Sequence, residues 1–263
     1  MEDALRACKE ANGRGIDALV NHLGEHHMDE AQVESAITEY LNLLATMDEA
    51  RVHGCVSAKP TQLGLLLGRE YALSKFEQLL RSATDSGRFL WIDMEHAATV
   101  RDTLWVYEKL RDASERVGVC IQANLRRTED DLERLLDAGG KIRLTKGAYR
   151  EAPDIAFPDR RSIDRQFERH LETLFRRGRG FAVGSHDPRM IDRTLELFRS
   201  TGTPFEFQML QGVQDPLKEV LVRGGHRVLE YIPYGPTWLP YFLRRLRERP
   251  RNVFTLLRSF VGG

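Results

Sequence analysis

The sequence predicts a single α/β domain, a (βα)8 barrel that covers residues 1–263. Short apolar runs rich in Val, Ile and Phe alternate with longer amphipathic stretches, which predicts parallel strands joined by right-handed helical crossovers. Eight such units in 263 residues match the number and the size expected of this fold. The alternative, a doubly wound open sheet, normally carries a glycine fingerprint after its first strand, and the sequence contains no GxGxxG.

The individual elements follow from the period of the apolar residues. Strands are predicted at 14–20, 54–59, 89–95, 117–124, 141–146, 180–186, 204–210 and 226–232. Between them, apolar residues recur at i, i+3 and i+4, the spacing that places them on one helix face. These predicted helices cover 29–50, 69–86, 98–116, 128–139, 164–178, 187–201 and 215–225. The chain is therefore expected to begin almost at its first strand.

Composition and charge exclude several classes of protein. Lys+Arg and Asp+Glu number 39 each, which argues against a surface that binds nucleic acid or anionic membrane as a whole. Cys8, Cys55 and Cys120 are odd in number and lack CxxC spacing, so we expect buried thiols in a reducing cytoplasm. No apolar run approaches the roughly 20 residues of a membrane span, and no signal peptide is recognisable. Of the histidines near residue 25, only His22 and His26 have helical spacing, so no metal site is predicted.

Polar residues gather at seven consecutive predicted strand ends. In a barrel these ends and the loops after them form the mouth that carries the active site. Each residue alone also fits the first position of a solvated loop, but the whole set favours a functional site. The residues are Lys59, Asp93, Gln122, Arg143, Lys146, Ser185, His186, Gln208 and Tyr231.

Arg143 lies inside the predicted strand "KIRLTK". Strand alternation places Ile142 and Leu144 on the face toward the helices and Arg143 on the face toward the barrel interior. A buried guanidinium needs an anionic or strongly accepting partner, because an unpaired buried charge is costly. A bound cofactor would supply one, and an internal ion pair with Asp93 or Glu95 is the alternative.

The stretch "YFLRRLRERP" at 241–250 predicts a helix with two stripes. At about 100° per residue, Tyr241, Arg244, Arg245 and Glu248 share a narrow polar stripe, and leucines with Phe242 form an apolar one. Three interpretations are open: a surface helix with an ion pair, a nucleic-acid helix, or a clamp for a ligand carboxylate. The clamp is favoured because paired guanidinium groups suit a carboxylate, and Glu248 interrupts any basic surface.

The same helix resembles the Tyr-x-x-Arg-Arg-x-x-Glu signature of the flavin-dependent proline dehydrogenases. The blocks "VSAKPTQLGL", "IDME", "IRLTKGAYRE", "GSHD", "FEFQMLQG" and "YIPYG" are similar to blocks of that family and occur in its order, from about Arg14 to Asn252. The resemblance implies a distorted (βα)8 barrel with FAD at its mouth and the last helix placed over that mouth. It also implies the monofunctional bacterial type, since no aldehyde dehydrogenase domain follows.

The resemblance further implies that L-proline is oxidised to Δ1-pyrroline-5-carboxylate, the first step of proline catabolism to glutamate, with a quinone or similar acceptor reoxidising the flavin. The implied catalytic residues are Arg143, Asp93 and Lys59. The implied substrate-binding residues are Lys59, Asp93, Leu210, Tyr231, Tyr241, Arg244 and Arg245. The implied FAD-binding residues are Gln122, Arg143, Lys146, Gly147, Ala148, Tyr149, Ser185, His186, Gln208 and Glu248.

The resemblance also implies partners for the protein, and two residues differ from the family pattern. The resemblance implies functional coupling to a separate pyrroline-5-carboxylate dehydrogenase, and peripheral contact with the inner membrane stays open. Arg150 replaces an aromatic residue and Asp187 replaces an asparagine that are common in relatives, and both are expected to affect how FAD is held. Alternative functions are oxidation of 4-hydroxyproline, which Tyr231 and Tyr241 would crowd, and a flavin-free barrel that acts as a binding module.

Overall fold

The computed structural model of the protein describes residues 1–235, in which strands and helices alternate. The strands are β1 (Asp17–His22), β2 (Gly54–Ala58), β3 (Leu90–Ile92), β4 (Val117–Gln122), β5 (Ile142–Thr145), β6 (Phe181–Gly184), β7 (Phe205–Leu210) and β8 (Val228–Tyr234). The helices are α1 (Glu2–Gly13), α2 (Glu30–Glu49), α3 (Arg69–Asp85), α4 (Val100–Ala113), α5 (Thr128–Asp137), α6 (Arg160–Arg177), α7 (Pro188–Thr201) and α8 (Asp215–Arg223). A 3-10 turn at Ala97–Thr99 precedes α4. Each predicted strand, and each helix predicted between two strands, is present within a few residues of its expected bounds.

The eight strands of the described chain form a closed parallel barrel. They are hydrogen-bonded in chain order, and β8 pairs with β1 to complete the ring. In that closing pair Asp17 lies opposite Leu229 and His22 lies opposite Tyr234. Parallel strands place all their carboxyl ends at one mouth, so the predicted (βα)8 barrel is confirmed and the predicted strand-end residues share one rim.

Alternation along each strand separates two apolar regions. In β5, Ile142 and Leu144 belong to the large core between strands and helices, whereas Arg143 faces the interior of the barrel. The apolar part of that interior is small and consists of Leu19, Cys55, Trp91, Ala182 and Leu229. The polar side chains of the strand ends lie beyond this apolar cluster, at the mouth of the barrel.

The helix α1 was not predicted. Its buried residues Ala4, Ala7, Cys8 and Ala11 recur at three- and four-residue spacing, and the helix packs against β1 and β8. The expectation that the chain begins almost at its first strand is therefore wrong. In a regular barrel the outer position beside β8 and β1 belongs to the helix that follows β8. Here α1 occupies that position.

A buried ion-pair cluster joins α1, α8 and β8. Lys218, whose side chain has no exposed surface, contacts the carboxylates of Glu230 and Asp215. Arg14 donates to the other oxygen of Glu230 at 2.8 Å. Since an unpaired charge in this position would be costly, the three elements are held in one arrangement by mutual pairing.

The three cysteines are buried and reduced, as the sequence indicated. Burial raises the pKa of the Cys8 thiol to about 12, so it stays protonated and packs as a small apolar side chain. Within residues 1–235, no helix combines the length and apolar character needed to cross a membrane.

Candidate active site

Asp93, directly after β3, is the centre of a hydrogen-bonded cluster at the barrel mouth. Its Oδ1 accepts a hydrogen bond from Ser57 Oγ at 2.5 Å and pairs with the guanidinium of Arg143. Its Oδ2 accepts from the Tyr231 hydroxyl at 2.7 Å. The three donors lie on β2, β5 and β8, so closure of the barrel is what brings them to one carboxylate.

Arg143 is fixed on several sides. Besides its ion pair with Asp93, it donates from one terminal nitrogen to Gln208 Oε1 at 3.0 Å, and its guanidinium carbon lies 5.4 Å from the ring centre of Trp91. Burial acts to lower the pKa of Arg143, but Cys120, Asp93 and Tyr231 outweigh that effect and raise the pKa above its ordinary value. The side chain is therefore a permanent cation at the mouth. Strand alternation left open whether a cofactor or an internal carboxylate compensates Arg143. In the structure, Asp93 is an internal partner.

The indole of Trp91 packs beneath the guanidinium of Arg143. It fits there because the residue opposite it on the next strand is a glycine, Gly118. A Cβ added to Gly118 would lie 2.5 Å from the Trp91 ring. Gly118 pairs in register with Trp91 across β3 and β4. The absence of a side chain at 118 thus leaves the space in which the indole supports the guanidinium.

Lys59 enters the site from the end of β2. The residue is 7% exposed, and its ammonium pairs with Glu25 Oε2 at 3.1 Å. The Tyr149 hydroxyl lies 3.5 Å from the same oxygen. Glu25, on the loop after β1, therefore links Lys59 to the loop after β5.

Glu95 and Gln122 hold the loops after β2, β3 and β5 together. Glu95 is buried and accepts from the backbone N–H of Thr61 at 2.8 Å and from its hydroxyl at 2.7 Å. Burial raises the pKa of Glu95, although the hydrogen bonds from Thr61 oppose that effect. Gln122 donates to the Glu95 carbonyl at 2.8 Å, and its Oε1 accepts from Ala148 N–H at 3.4 Å.

Lys146, just beyond β5, is held by two carboxylates. Its ammonium contacts Asp164 and lies 2.7 Å from Asp187 Oδ2. Arg160 also reaches Asp187, at 3.1 Å. Burial acts to raise the pKa of Asp187, but the hydrogen bond and charge of Lys146 outweigh it and hold the pKa below its usual value. Asp187, which differs from the asparagine expected from the family pattern, thus supplies an anion that pairs directly with Lys146.

The segment after Lys146 bends over the mouth. Gly147 has φ of 99°, in the left-handed region that favours glycine. A Cβ at that position would lie 2.0 Å from Asn124 Oδ1, so the backbone approaches the end of β4 closely. The Tyr149 ring then contacts the His96 ring at a tilt of 55°, with ring centres 4.2 Å apart, and His96 lies 3.1 Å from Glu151.

The remaining predicted residues lie on β6, β7 and their loops. His186 Nε2 accepts from the Leu210 backbone N–H at 2.7 Å, which assigns the proton of a neutral imidazole to Nδ1. Ser185 Oγ accepts from the Asp187 N–H at 3.2 Å. The structure thus places His186 and Leu210 in direct contact.

The polar groups of this region fit a flavin. Among the buried side-chain atoms of residues 1–235 that have no hydrogen-bond partner, two lie at this site: Nε of Arg143, a donor, and Oδ1 of Asn124, an acceptor. Gly147 lets the backbone come close on the side of Asn124. A planar ring with acceptors and donors along its edge can pair with one group of each kind, so this combination is compatible with a flavin.

Four predicted site residues, Tyr241, Arg244, Arg245 and Glu248, lie outside the described residues, as does the helix expected over the mouth. Ser57, Trp91 and Glu25 belong to the described site but were not singled out from the sequence. Ser57 and Trp91 each precede a predicted residue by two positions. Extending the period of two backwards from the strand ends would have found them, whereas no pattern marked Glu25.

The chain is similar to known proteins over nearly its whole length. The family model described as proline dehydrogenase matches residues 4–255. Proline dehydrogenase 1 of Bacillus subtilis (strain 168) is 33% identical over 264 residues, covering 99% of this chain and 87% of that protein. The proline dehydrogenase of Deinococcus radiodurans is 30% identical over 271 residues, covering 100% of this chain and 87% of that protein.

Solved structures share the fold. The crystal structure of proline utilization A from Bdellovibrio bacteriovorus, inactivated by N-propargylglycine, superposes with a TM-score of 0.86 at 24% identity. The match covers 96% of this chain and 32% of that one, so the chain spans about a third of the length of that protein. From the family match over nearly the whole sequence, and from relatives of similar length, the chain belongs to the proline dehydrogenase family of oxidoreductases.

Proposed function

We propose that the protein oxidises L-proline to Δ1-pyrroline-5-carboxylate with FAD as its cofactor. The observation that carries the proposal is the cluster in which Ser57, Arg143 and Tyr231 converge on the Asp93 carboxylate at the barrel mouth. A flavin-free scaffold barrel would have no need for a buried cation and a buried carboxylate held at its mouth by three strands. Family membership supports the same reaction.

FAD, when bound, would serve as the acceptor of a hydride from the proline ring carbon beside the nitrogen. Arg143 would donate to the flavin from its free Nε, and its fixed charge would favour electron density on the ring. The residues proposed to hold the rest of the cofactor are Gln122, Lys146, Gly147, Ala148, Tyr149, Ser185, His186, Gln208 and Glu248. Since Asp187 and Asp164 already neutralise Lys146, the proposed contact of this lysine with FAD is weaker than that of a free ammonium.

The substrate carboxylate is proposed to pair with Arg244 and Arg245, with Lys59 close by. Leu210, Tyr231 and Tyr241 would enclose the apolar ring. Several cations around one carboxylate favour the unprotonated amine, which is the form able to release a hydride. Asp93 is proposed to hold the hydroxyl of Tyr231 and the guanidinium of Arg143 in fixed positions while the reaction proceeds.

Electron acceptor, partner and location are part of the proposal. A quinone or similar acceptor would reoxidise the flavin, and a separate pyrroline-5-carboxylate dehydrogenase would consume the product. We place the protein in the cytoplasm, with peripheral contact at the inner membrane. Exposed apolar side chains on loops at the mouth, Met28, Leu66, Leu67 and Ile155, support that contact.

The test is a visible spectrum of the purified protein. Protein reconstituted with FAD should be yellow, and the flavin absorbance should bleach under anaerobic conditions with L-proline but not with D-proline. Turnover of 4-hydroxyproline under the same conditions should be well below that of L-proline. Protein that cannot take up FAD would contradict the proposal, as would a bound flavin that L-proline leaves oxidised.

A variant separates substrate binding from cofactor binding. Arg245→Met should raise the KM for proline steeply and leave the flavin spectrum intact, because only the carboxylate contact is removed. An unchanged KM would show that the assignment of Arg245 is wrong.

A further inference from the structure

Glu206 is a carboxylate inside the barrel, below the candidate active site. Strand β7 alternates, with Phe207 and Met209 in the apolar core toward the helices. Glu206 and Gln208 therefore share the interior face, and the Glu206 side chain is only 13% exposed.

Gln208 connects Glu206 to Arg143. The Gln208 side-chain nitrogen donates to Glu206 Oε1 at 2.7 Å, and its oxygen accepts from Arg143 at 3.0 Å. An amide has a donor end and an acceptor end, so the bond to Glu206 requires the oxygen to face Arg143. The direction of one Arg143 nitrogen is thus set by a carboxylate that Arg143 does not touch.

The other end of Glu206 is anchored at the opposite end of the barrel. Its Oε2 lies 3.2 Å from Arg227, which also pairs with Asp17 at 3.2 Å. Because Asp17 already compensates Arg227, charge balance there does not depend on Glu206. Within the described part of the chain, by contrast, the Gln208 side-chain nitrogen has no other acceptor.

We propose that Glu206 is a positioning residue: through Gln208 it fixes Arg143 at the mouth, and its charge partly offsets that of the guanidinium. This inference rests on the proposed function, since Arg143 is taken to face the flavin. Among residues 1–235, Glu206 contacts Gln208 and Arg227 but none of the proposed substrate-binding residues. It acts on the reaction only through the two side chains above it.

Two variants separate the hydrogen bond from the charge. Glu206→Asp keeps the charge but withdraws the carboxylate by one methylene, so that it no longer reaches Gln208. Glu206→Gln keeps an acceptor for Gln208 but removes the charge. Glu230→Gln is the matched control. Like Glu206, Glu230 is a buried glutamate with an arginine partner, but it lies on the helix-facing side of the neighbouring strand, where it pairs with Arg14 and Lys218.

The experiment uses FAD-loaded protein in anaerobic stopped-flow measurements with L-proline, together with dye-equilibrated reduction of the bound flavin. For Glu206→Asp we expect the limiting rate of flavin reduction to fall about tenfold, with the Kd for proline within threefold of wild type. For Glu206→Gln we expect a reduction rate within threefold. In Glu206→Gln, the equilibrium ratio of reduced to oxidised flavin should rise about tenfold. This corresponds to an increase of about 30 mV in the two-electron potential of the flavin. Glu230→Gln should lower the melting temperature and change neither quantity.

The outcomes are distinguishable. If wild-type protein binds FAD and is bleached by proline, but Glu206→Asp reduces at the wild-type rate, the positioning role is refuted. An unchanged flavin potential in Glu206→Gln refutes the role of the charge. If the wild-type protein itself fails to bind FAD or to bleach, the proposed function fails, and the inference about Glu206 fails with it.

Discussion

Replacing Ser57 with alanine is expected to destabilise the protein by about 2 kcal/mol. Ser57 is fully buried, at 0% exposure, and its hydroxyl donates to Asp93 Oδ1 at 2.5 Å. A hydrogen bond to a charged acceptor contributes about 1.5–3 kcal/mol. Asp93 keeps its contacts with Arg143 and Tyr231 in the variant, so the loss should lie toward the middle of that range.

The measurement is urea unfolding followed by tryptophan fluorescence, with thermal unfolding as a second readout. All proteins are compared at one saturating FAD concentration, because a bound ligand adds to the apparent stability. A loss of about 2 kcal/mol corresponds to a fall of roughly 4–8 °C in Tm for a chain of this size. The free energy should be lost with no change in the urea m-value, since the fold stays the same.

Ser74→Ala is the control. Ser74 also donates its hydroxyl, to the Tyr71 carbonyl at 2.7 Å, but it lies in an exposed part of α3. Its replacement should change the free energy of unfolding by no more than about 0.5 kcal/mol. If the two serine variants unfold alike, the hydroxyl of Ser57 does not stabilise the Asp93 cluster, and the reasoning from burial and charge is wrong.

Three further predictions concern other parts of the molecule. Lys218→Met leaves the Glu230 carboxylate buried with one partner fewer and should cost about 3 kcal/mol in urea unfolding; Lys218→Met combined with Glu230→Gln should recover most of that loss. Burial lowers the pKa of His170 to about 4, so only the unfolded chain takes up its proton between about pH 6.5 and 4. Stability should therefore be complete above about pH 6.5 and fall by up to about 3 kcal/mol toward pH 4; His170→Gln should flatten this slope in pH-dependent urea unfolding, whereas a replacement of the exposed His26 should not. Gly147→Ala forces a side chain onto a backbone with φ of 99° and should weaken FAD binding at least about tenfold in a fluorescence titration, and wild-type affinity would contradict the proposed close approach.

The order of strands and helices was predictable because the two apolar periods are clear in this sequence. The bounds of β1 and β8 were less predictable than the order of the elements. The predicted first strand began at Arg14, but Gly15 has φ of 74° and belongs to the turn after α1. The last strand was expected to stop at Ile232, before a proline, yet β8 continues through Pro233. Proline is disfavoured inside a strand, and here the register with β1 overrides that preference.

The helix α1 escaped prediction because its buried face is made of small residues. Three alanines and Cys8 give a weak apolar signal next to the charged positions between them. The same residues let the helix lie close against β1 and β8, so the weak signal and the close packing have one cause.

Within the site, the sequence identified residues but not their partners. Alternation correctly oriented Arg143 toward the interior, but it left open whether Asp93, Glu95 or a cofactor would compensate the charge. Spacing along one strand says nothing about distances across the ring, which depend on closure and on register. The pairing of Lys146 with Asp164 depends on where α6 packs, and no local pattern encodes that.

The position of α1 also has a consequence for how the chain folds. The contact between Arg14 and Glu230 joins residues 216 positions apart, so the seam between the first and last strands can form only after nearly all of the described chain has been made. Contacts at such separation are entropically costly to close and form late. Until then β1 presents an unpaired edge, which favours association with other chains. A ribosome-bound chain that ends before β8 therefore keeps the edge of β1 open to such association.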